Sequence, residues 1–398
     1  MRSLLALSHT GGLGGAEQAL LELLLALHDA GWEVRCVVPA PGEMAAALER
    51  RGIEVSVVPS QNWATSRTTP TAVANASATN LQAIPHTLLA VPRLVSIFRR
   101  VRPDVVLSNT ITSPLAALAA RAVRIPHVVY AHEYGVADHG MLFLLGYDRS
   151  MRILSRLSTV FLANSQATST FFSAALSRPV AVVPYAMSLA PARLDPLPAR
   201  PPELRALVLG RVTEAKNQLE CVRAVAAARA SETPVRLRLV GSGDEAYRQR
   251  LLAEAASLGI AEVVEHQGHV EDASAEYDAA HVVIVPSRRE AFGRVTVEAM
   301  LRSRPVIAAA SGASTELVQP GGSGLLYDPG RPESLADALT TMWADWDQAR
   351  AWSQHAYEVA TTSFTEERTV AAFERALTGV VGPAARRPGQ GPCYRTRT

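Results

Sequence analysis

Short runs of β-branched and aliphatic residues alternate along this chain with longer Ala/Leu-rich segments, the pattern of a parallel sheet covered by helices on both faces. In the first half the strand-like runs are Leu4 to Ser8, Val34 to Val38, Glu54 to Val58, Val105 to Ser108, His127 to Tyr130, Val160 to Ala163 and Val180 to Val183. Helical periodicity separates several of them, most clearly over Glu17 to Ala30 and Pro114 to Val123. This predicts one doubly wound domain over residues 1–190. Residues 191–202 are too rich in proline for a helix interior or a central strand, and are expected to link it to a second domain. Further strand-like runs follow at Ala206 to Gly210, Arg236 to Gly241, Val263 to Gln267, Val282 to Pro286 and Pro305 to Ala309, so residues 203–360 repeat the α/β architecture. From Leu335 to about Leu377 the pattern is helical, with 361–380 read as a helix returning to the first domain. Residues 381–398 are rich in Gly, Pro and Arg without apolar period and are expected to be a disordered tail. Residues 60–83 also lack periodicity and are long for a loop inside a compact domain.

Composition narrows the class. With 398 residues the chain suits two domains, and 48% hydrophobic against 19% charged residues marks a globular protein. A net charge of +2 provides no basic field for a nucleic-acid backbone, so nucleic acid is not an expected partner. Cys36, Cys221 and Cys393 are far apart and show no metal-ligand spacing, which fits a reducing compartment and a cytoplasmic protein. The apolar stretch after Met1 is too short for a signal segment, and no run approaches a membrane span. Lys216 is the only lysine.

Ligands of open α/β sheets bind beyond the carboxyl ends of the strands, and four such places carry chemistry here. After Val282 to Pro286 comes Ser-Arg-Arg-Glu290-Ala-Phe292-Gly293-Arg294-Val295-Thr-Val-Glu298. Gly293 opens a helix whose amino end is a natural anion site, and two carboxylates flanking it suit the hydroxyls of a sugar and a ribose. The first strand of the second domain ends at Gly210-Arg211 and leads to Lys216-Asn217, two cations at the same crevice that suit a diphosphate. Val240-Gly241-Ser242-Gly243 lets a base or phosphate approach the backbone. Thr10 to Glu17 forms a glycine loop that reads either as a dinucleotide fingerprint or as a tight turn. The next strand ends Val37-Val38-Pro39 without an acidic residue, which argues against NAD.

Gly11 to Glu17, Gly210-Arg211 with Lys216-Asn217, and Glu290 followed by Glu298 together resemble the retaining glycosyltransferases of family 4, over Leu4 to about Leu377. Pro286-Ser287, Arg304 to Ile307 and Gly321 to Leu326 match as well. The resemblance implies the GT-B fold, two Rossmann-like domains facing a cleft, with the acceptor in the first and a nucleotide-sugar donor in the second. It implies catalytic roles for Arg211, Lys216, Glu290 and His132. It implies donor contacts from Gly14, Gly210, Gly241, Val270, Phe292, Gly293, Arg294, Val295 and Glu298. It further implies a UDP- or GDP-sugar donor, no metal or other cofactor, and a carbohydrate, lipid-linked or natural-product acceptor in cell-envelope glycan or glycosylated natural-product synthesis. The chain departs from the family pattern after the last strand of the first domain, where it reads Val183-Pro184-Tyr185-Ala186-Met187.

Other readings stand beside this one: a Rossmann-type NAD(P)-dependent oxidoreductase, or a nucleotide-sugar binder without turnover. His132, Glu133, Asp138 and His139 show no spacing that closes a metal site. Asp345-Trp346-Asp347 lies in a helical stretch far from any strand end and reads as solvated helix charge. His86 to Val101 carries Arg93, Arg99 and Arg100 beside aliphatic residues, the pattern of an ordinary surface helix or of a peripheral contact with the inner membrane face.

Overall fold

The computed structural model describes residues 2–65, 89–187, 197 and 200–381. Most of the 60–83 loop and of the 191–202 linker, and all but Val381 of the 381–398 tail, lie outside the described residues. The first domain runs β1 (Ser3–Leu7), α1 (Gly15–Asp29), β2 (Glu33–Val38), α2 (Glu43–Glu49), β3 (Glu54–Val57), β4 (Ala64–Thr65), α3 (89–101), β5 (Val105–Asn109) and α4 (Leu115–Val123). It continues with β6 (His127–Ala131), α5 (Val136–His139), β7 (Leu142–Phe143), α6 (Tyr147–Leu157), β8 (Val160–Ala163), α7 (Gln166–Leu176) and β9 (Ala181–Val182). Its parallel sheet has the order β3-β2-β1-β5-β6-β8-β9, and β4 pairs antiparallel with β7 above it.

The second domain repeats the plan with β10 (Leu204–Leu209), α8 (Gln218–Ala230), β11 (Val235–Val240), α9 (Glu245–Ser257), β12 (Val264–Gln267), α10 (Ser274–Ala279) and β13 (Val282–Val285). Then come α11 (Arg294–Leu301), β14 (Val306–Ala309), α12 (Ser314–Leu317), β15 (Gly324–Tyr327), α13 (Pro332–Ala344), α14 (Trp346–Ser363) and α15 (Glu366–Ala376). The sheet order is β12-β11-β10-β13-β14-β15, all parallel. Strands β5, β6, β13 and β14 are buried at every residue, so β13 and β14 read as unbroken apolar runs, and β5 and β6 carry polar side chains only at their ends, at Ser108, Asn109 and His127. Each sheet reverses its winding once, between β1 and β5 in the first domain and between β10 and β13 in the second. Such switch points are where doubly wound sheets open a crevice.

The domains touch along the cleft and at their backs. Helix α15 packs on α1, where Glu374 Oε1 accepts from Arg2 Nη1 at 3.0 Å and from Trp32 Nε1 at 3.2 Å. Across the cleft the carbonyl of Ala291 accepts from Ser165 Oγ at 2.6 Å and Thr168 Oγ1 at 3.0 Å. The Glu316 carboxylate caps the amino end of α7 through the amides of Gln166 and Ala167, at 2.9 and 2.5 Å, where the helix dipole favours negative charge. Asp345 is the N-cap of α14, its Oδ1 accepting from the Gln348 amide at 3.1 Å, so the Asp-Trp-Asp triplet begins a helix. Among the described residues no helix is long and apolar enough to cross a membrane.

Candidate functional site

The second domain's switch point lies between the loops that follow β10 and β13, and these loops are tied together. The Arg288 amide donates to the Ala215 carbonyl at 3.2 Å, and Ser311 Oγ donates to the Arg288 carbonyl at 2.5 Å. The result sets Lys216 Nζ 2.8 Å from Glu290 Oε2. Asn217 holds the turn behind Lys216: it caps α8 in the left-handed region at φ 55°, and its amide donates to Glu220, which also accepts from the Gly330 amide at 2.6 Å. Arg211 leaves the same strand end exposed, forms no ion pair among the described residues, and offers its carbonyl to Gln218 Nε2 at 2.8 Å. Burial acts to raise the Glu290 carboxyl, but the Lys216 ammonium and a hydrogen bond from Ser287 outweigh it and hold the group below the ordinary carboxylate range.

Gly293 caps α11 at φ 94°, and a Cβ there would lie 3.0 Å from Leu317 Cδ1. One turn on, Glu298 Oε2 accepts from the Tyr277 hydroxyl at 2.8 Å and Oε1 lies 3.6 Å from Arg294 Nη2. A carboxylate has room for about four hydrogen bonds, so acceptor capacity remains. Arg294 itself reaches across the cleft, where Nη1 and Nη2 donate to the two oxygens of the buried Glu22 in α1 at 2.7 and 2.9 Å. Phe292 is buried against Tyr185, ring centroids 4.2 Å apart, and Phe364. Gly210 and Gly241 follow β10 and β11, and Val295 and Val270 are half-buried. An open cavity of about 440 Å³ lies over the ends of β10 to β12, lined by Val212, Ser242, Gly243, Asp244, Glu245, Arg248, His266 and Gly268.

From the first domain come Gly14 and His132. The Gly14 amide donates to Glu17 Oε2 at 3.1 Å in a capping box that starts α1. His132 is buried in a relay. Asn109 Nδ2 donates to the Ala16 carbonyl at 3.2 Å, which turns its Oδ1 toward His132 Nε2 at 2.6 Å. Nε2 therefore carries the hydrogen, and Nδ1 accepts from the Tyr185 hydroxyl at 2.6 Å, whose oxygen accepts from Asn164 Nδ2 at 2.8 Å. Burial pushes the imidazole down to about 3, so His132 is neutral near pH 7.

The structure thus gathers Arg211, Lys216, Glu290, Gly293 and Glu298 at one switch point. Glu22, Asn109 and Tyr185 escape a reading of the sequence. Glu22 sits in the middle of an amphipathic helix, and nothing local marks its partner 272 positions away. Tyr185 stands where the family pattern lapses, and that lapse is the one signal that pointed to it. Among the described residues no group of three or more His, Cys, Asp or Glu side chains is arranged to hold a metal.

Residues 14–186 match the glycosyl transferase 4-like domain and residues 195–359 match glycosyl transferases group 1. A D-inositol 3-phosphate glycosyltransferase of Corynebacterium urealyticum is 35% identical over 155 residues, 37% of this chain and 37% of the relative; the chain thus spans well under half of that curated relative. HepE of Anabaena, solved in complex with UDP, superposes with a TM-score of 0.75 at 24% identity, over 95% of this chain and 100% of that one. A glycosyltransferase of Rickettsia africae superposes at 0.76 and 16% identity, over 96% and 99%. These likenesses show the GT-B fold, and the two domain matches show the family. The chain belongs to the GT-B glycosyltransferases of the family 4 type.

Proposed function

We propose that this protein transfers a sugar from a UDP- or GDP-sugar to an acceptor hydroxyl with retention at the anomeric carbon, in the synthesis of an envelope glycan or a glycosylated natural product. The observation that carries the reading is the 2.8 Å pairing of Lys216 with Glu290 beside the amino end of α11. It sets a cation for a diphosphate against a carboxylate for sugar hydroxyls. HepE solved with UDP, and relatives named for glycosyl transfer to an inositol phosphate, support a nucleotide-sugar donor and a polyol acceptor.

In this reading the diphosphate lies over the α11 amino end between Arg211 and Lys216, Glu298 takes the ribose hydroxyls, and Glu290 with the backbone at Phe292 and Gly293 takes the sugar. The acceptor oxygen bonds to the anomeric carbon on the face from which the diphosphate leaves. The carbon–oxygen bond to the phosphate breaks, and the acceptor's proton passes to the departing phosphate oxygen. Negative charge grows on the diphosphate as this proceeds, so the two cations count most in the transition state. Neutral His132, fixed by Asn109 and Tyr185, gives the reacting sugar a rigid polar wall. The cations make a dedicated metal unnecessary.

The test is a melting screen against UDP-, GDP-, ADP- and dTDP-sugars and NAD(H), followed by transfer assays with the stabilising donor. A nucleotide sugar is expected to raise Tm, the product to keep the donor's anomeric configuration by NMR coupling, and EDTA to leave the rate unchanged. Stabilisation by NAD(H) alone would sink the proposal.

A further inference from the structure

The first domain has its own switch point between β1 and β5, and a group there goes unused in the transfer chemistry above. Glu133 follows His132 at the end of β6 and leans over β5, where its Oε1 accepts a long 3.4 Å hydrogen bond from the Ile111 amide. Its other oxygen has no partner among the described residues, although the residue is only 5% exposed. That oxygen is not among the fully sealed polar atoms, so it meets solvent at the floor of the crevice. A carboxylate oxygen left open on an otherwise buried residue is a ready acceptor for a donating ligand.

The neighbours define what that ligand is. His9, on the loop after β1, lies with Nδ1 2.8 Å from Glu17 Oε1, so its imidazole faces that carboxylate. Asp138 in α5 is a second acid: its Oδ2 accepts from the Tyr134 amide at 2.8 Å, while Oδ1 is buried without a partner. Tyr147, at the start of α6, also keeps a buried hydroxyl without a partner. The loops after β1, β5 and β6 carry no arginine or lysine, and Arg289, stacked 5.5 Å over the Tyr134 ring, comes from the second domain. Asp138 Oδ1 and the Tyr147 hydroxyl are sealed from solvent, and Asp138 Oδ2 lies 3.8 Å from His139 Nε2, so the open acceptor here is Glu133, with no arginine or lysine in these three loops.

We infer that Glu133 receives a donating group of the acceptor, and that the acceptor's reacting end is an uncharged polyol or an amino sugar rather than a phosphate ester. The inference rests on the transferase reading and specifies its second substrate. Glu133 touches the acceptor and sets its position. Burial raises its carboxyl to about 7, with His9 opposing and Asp138 and Glu17 adding to the rise, so its charge develops across the neutral range. His132 beside it stays neutral there. An amino-sugar acceptor is therefore held more tightly as pH rises through about 7, until its own amine loses its proton.

The experiment titrates D-glucosamine, N-acetyl-D-glucosamine, myo-inositol and myo-inositol 3-phosphate into full-length protein saturated with the nucleotide found in the melting screen. Binding of at least one of the first three, at least tenfold tighter than the phosphate ester, is expected. The Glu133→Gln variant should weaken that binding at least tenfold and abolish its pH dependence near 7, with Glu133→Asp restoring part of both. Preference for the phosphate ester, no binding by any of the first three, or a Glu133→Gln protein with the wild-type melting temperature and unchanged binding would overturn the inference. A protein that binds no nucleotide sugar would instead overturn the transferase reading itself.

Discussion

At Lys216 the chain sets its only lysine against a half-buried carboxylate, and each group depends on the other. Without Lys216, Glu290 would stand partly desolvated with no counter-charge, and a departing diphosphate would lose one of its two cations. Lys216→Ala is expected to lower turnover at least about a hundredfold, the scale of removing one preorganised charge at a reacting centre. Near-normal initial rates with the donor from the melting screen would reject the assignment. Each residue by itself was legible in the sequence, because both follow strand ends and the spacing from Glu290 to Glu298 spans Gly293; their pairing was not. Nor was the His132 relay. A histidine after a strand announces neither its tautomer nor its charge; those follow from Asn109 and Tyr185, brought beside it only by folding. Glu290 itself shows the limit of local reading, since its partner lies 74 positions away.

At the scale of elements, what the sequence made visible was the run of buried parallel strands, because burial on both faces leaves an apolar run and the next loop a change in chemistry. Strand ends were legible to within about a residue or two. Less visible were β4 and β7, two residues each, whose pairing depends on Trp63 and Leu144 meeting across the loops. The same holds for β15, whose Gly321 to Leu326 motif gave no strand signal although Gly324 opens the strand against Val306. Packing between loops also explains Gly312. It adopts φ 56°, and a Cβ there would lie 2.2 Å from the Glu290 carbonyl, beside the 2.9 Å hydrogen bond from the Ala313 amide to that same oxygen. Gly312→Ala carries the strain of a left-handed alanine, about 1–2 kcal/mol, and its Cβ must also push the Glu290 loop aside. The donor KM is expected to rise at least about fivefold. Gly259→Ala is the control, at φ 70° with nothing within 4 Å of its Cβ, and should lower Tm while sparing the donor KM. Equal donor KM values in the two variants would show that the Gly312 contact does not hold the site.

Over the whole molecule the small net charge hides an uneven distribution. One side of the first sheet carries α3, α4 and α6, whose exposed arginines include Arg93, Arg99, Arg100, Arg121, Arg149, Arg152 and Arg156, with Arg102 and Arg124 at helix ends. None of these nine joins an ion pair among the described residues, and the acids beside them are Asp104 and Asp148. The other side, with α1, α2 and α15, mixes Glu43, Glu49, Glu366 and Glu367 with Arg50 and Arg368. Helix dipoles account for arginines in the last turns, but Arg149 stands in the first turn of α6, where positive charge works against the helix. The amino ends of α3 and α6 lie at the cleft end of the domain, and there Leu89, Val136 and Leu145 are 64%, 48% and 45% exposed. A basic face with an apolar rim beside the cleft suits an anionic bilayer carrying a lipid-linked acceptor. Full-length protein is expected to sediment with vesicles of equal phosphatidylglycerol and phosphatidylcholine at low salt, to leave them at high salt, and to ignore pure phosphatidylcholine. With about 1 kcal/mol per arginine near such a surface, neutralising Arg149, Arg152 and Arg156 to glutamine should weaken binding on the order of a hundredfold. Equal sedimentation with both vesicle types, or none with the anionic ones, would leave the arginine face without this role. The transfer chemistry, which depends on the cleft residues alone, would stand.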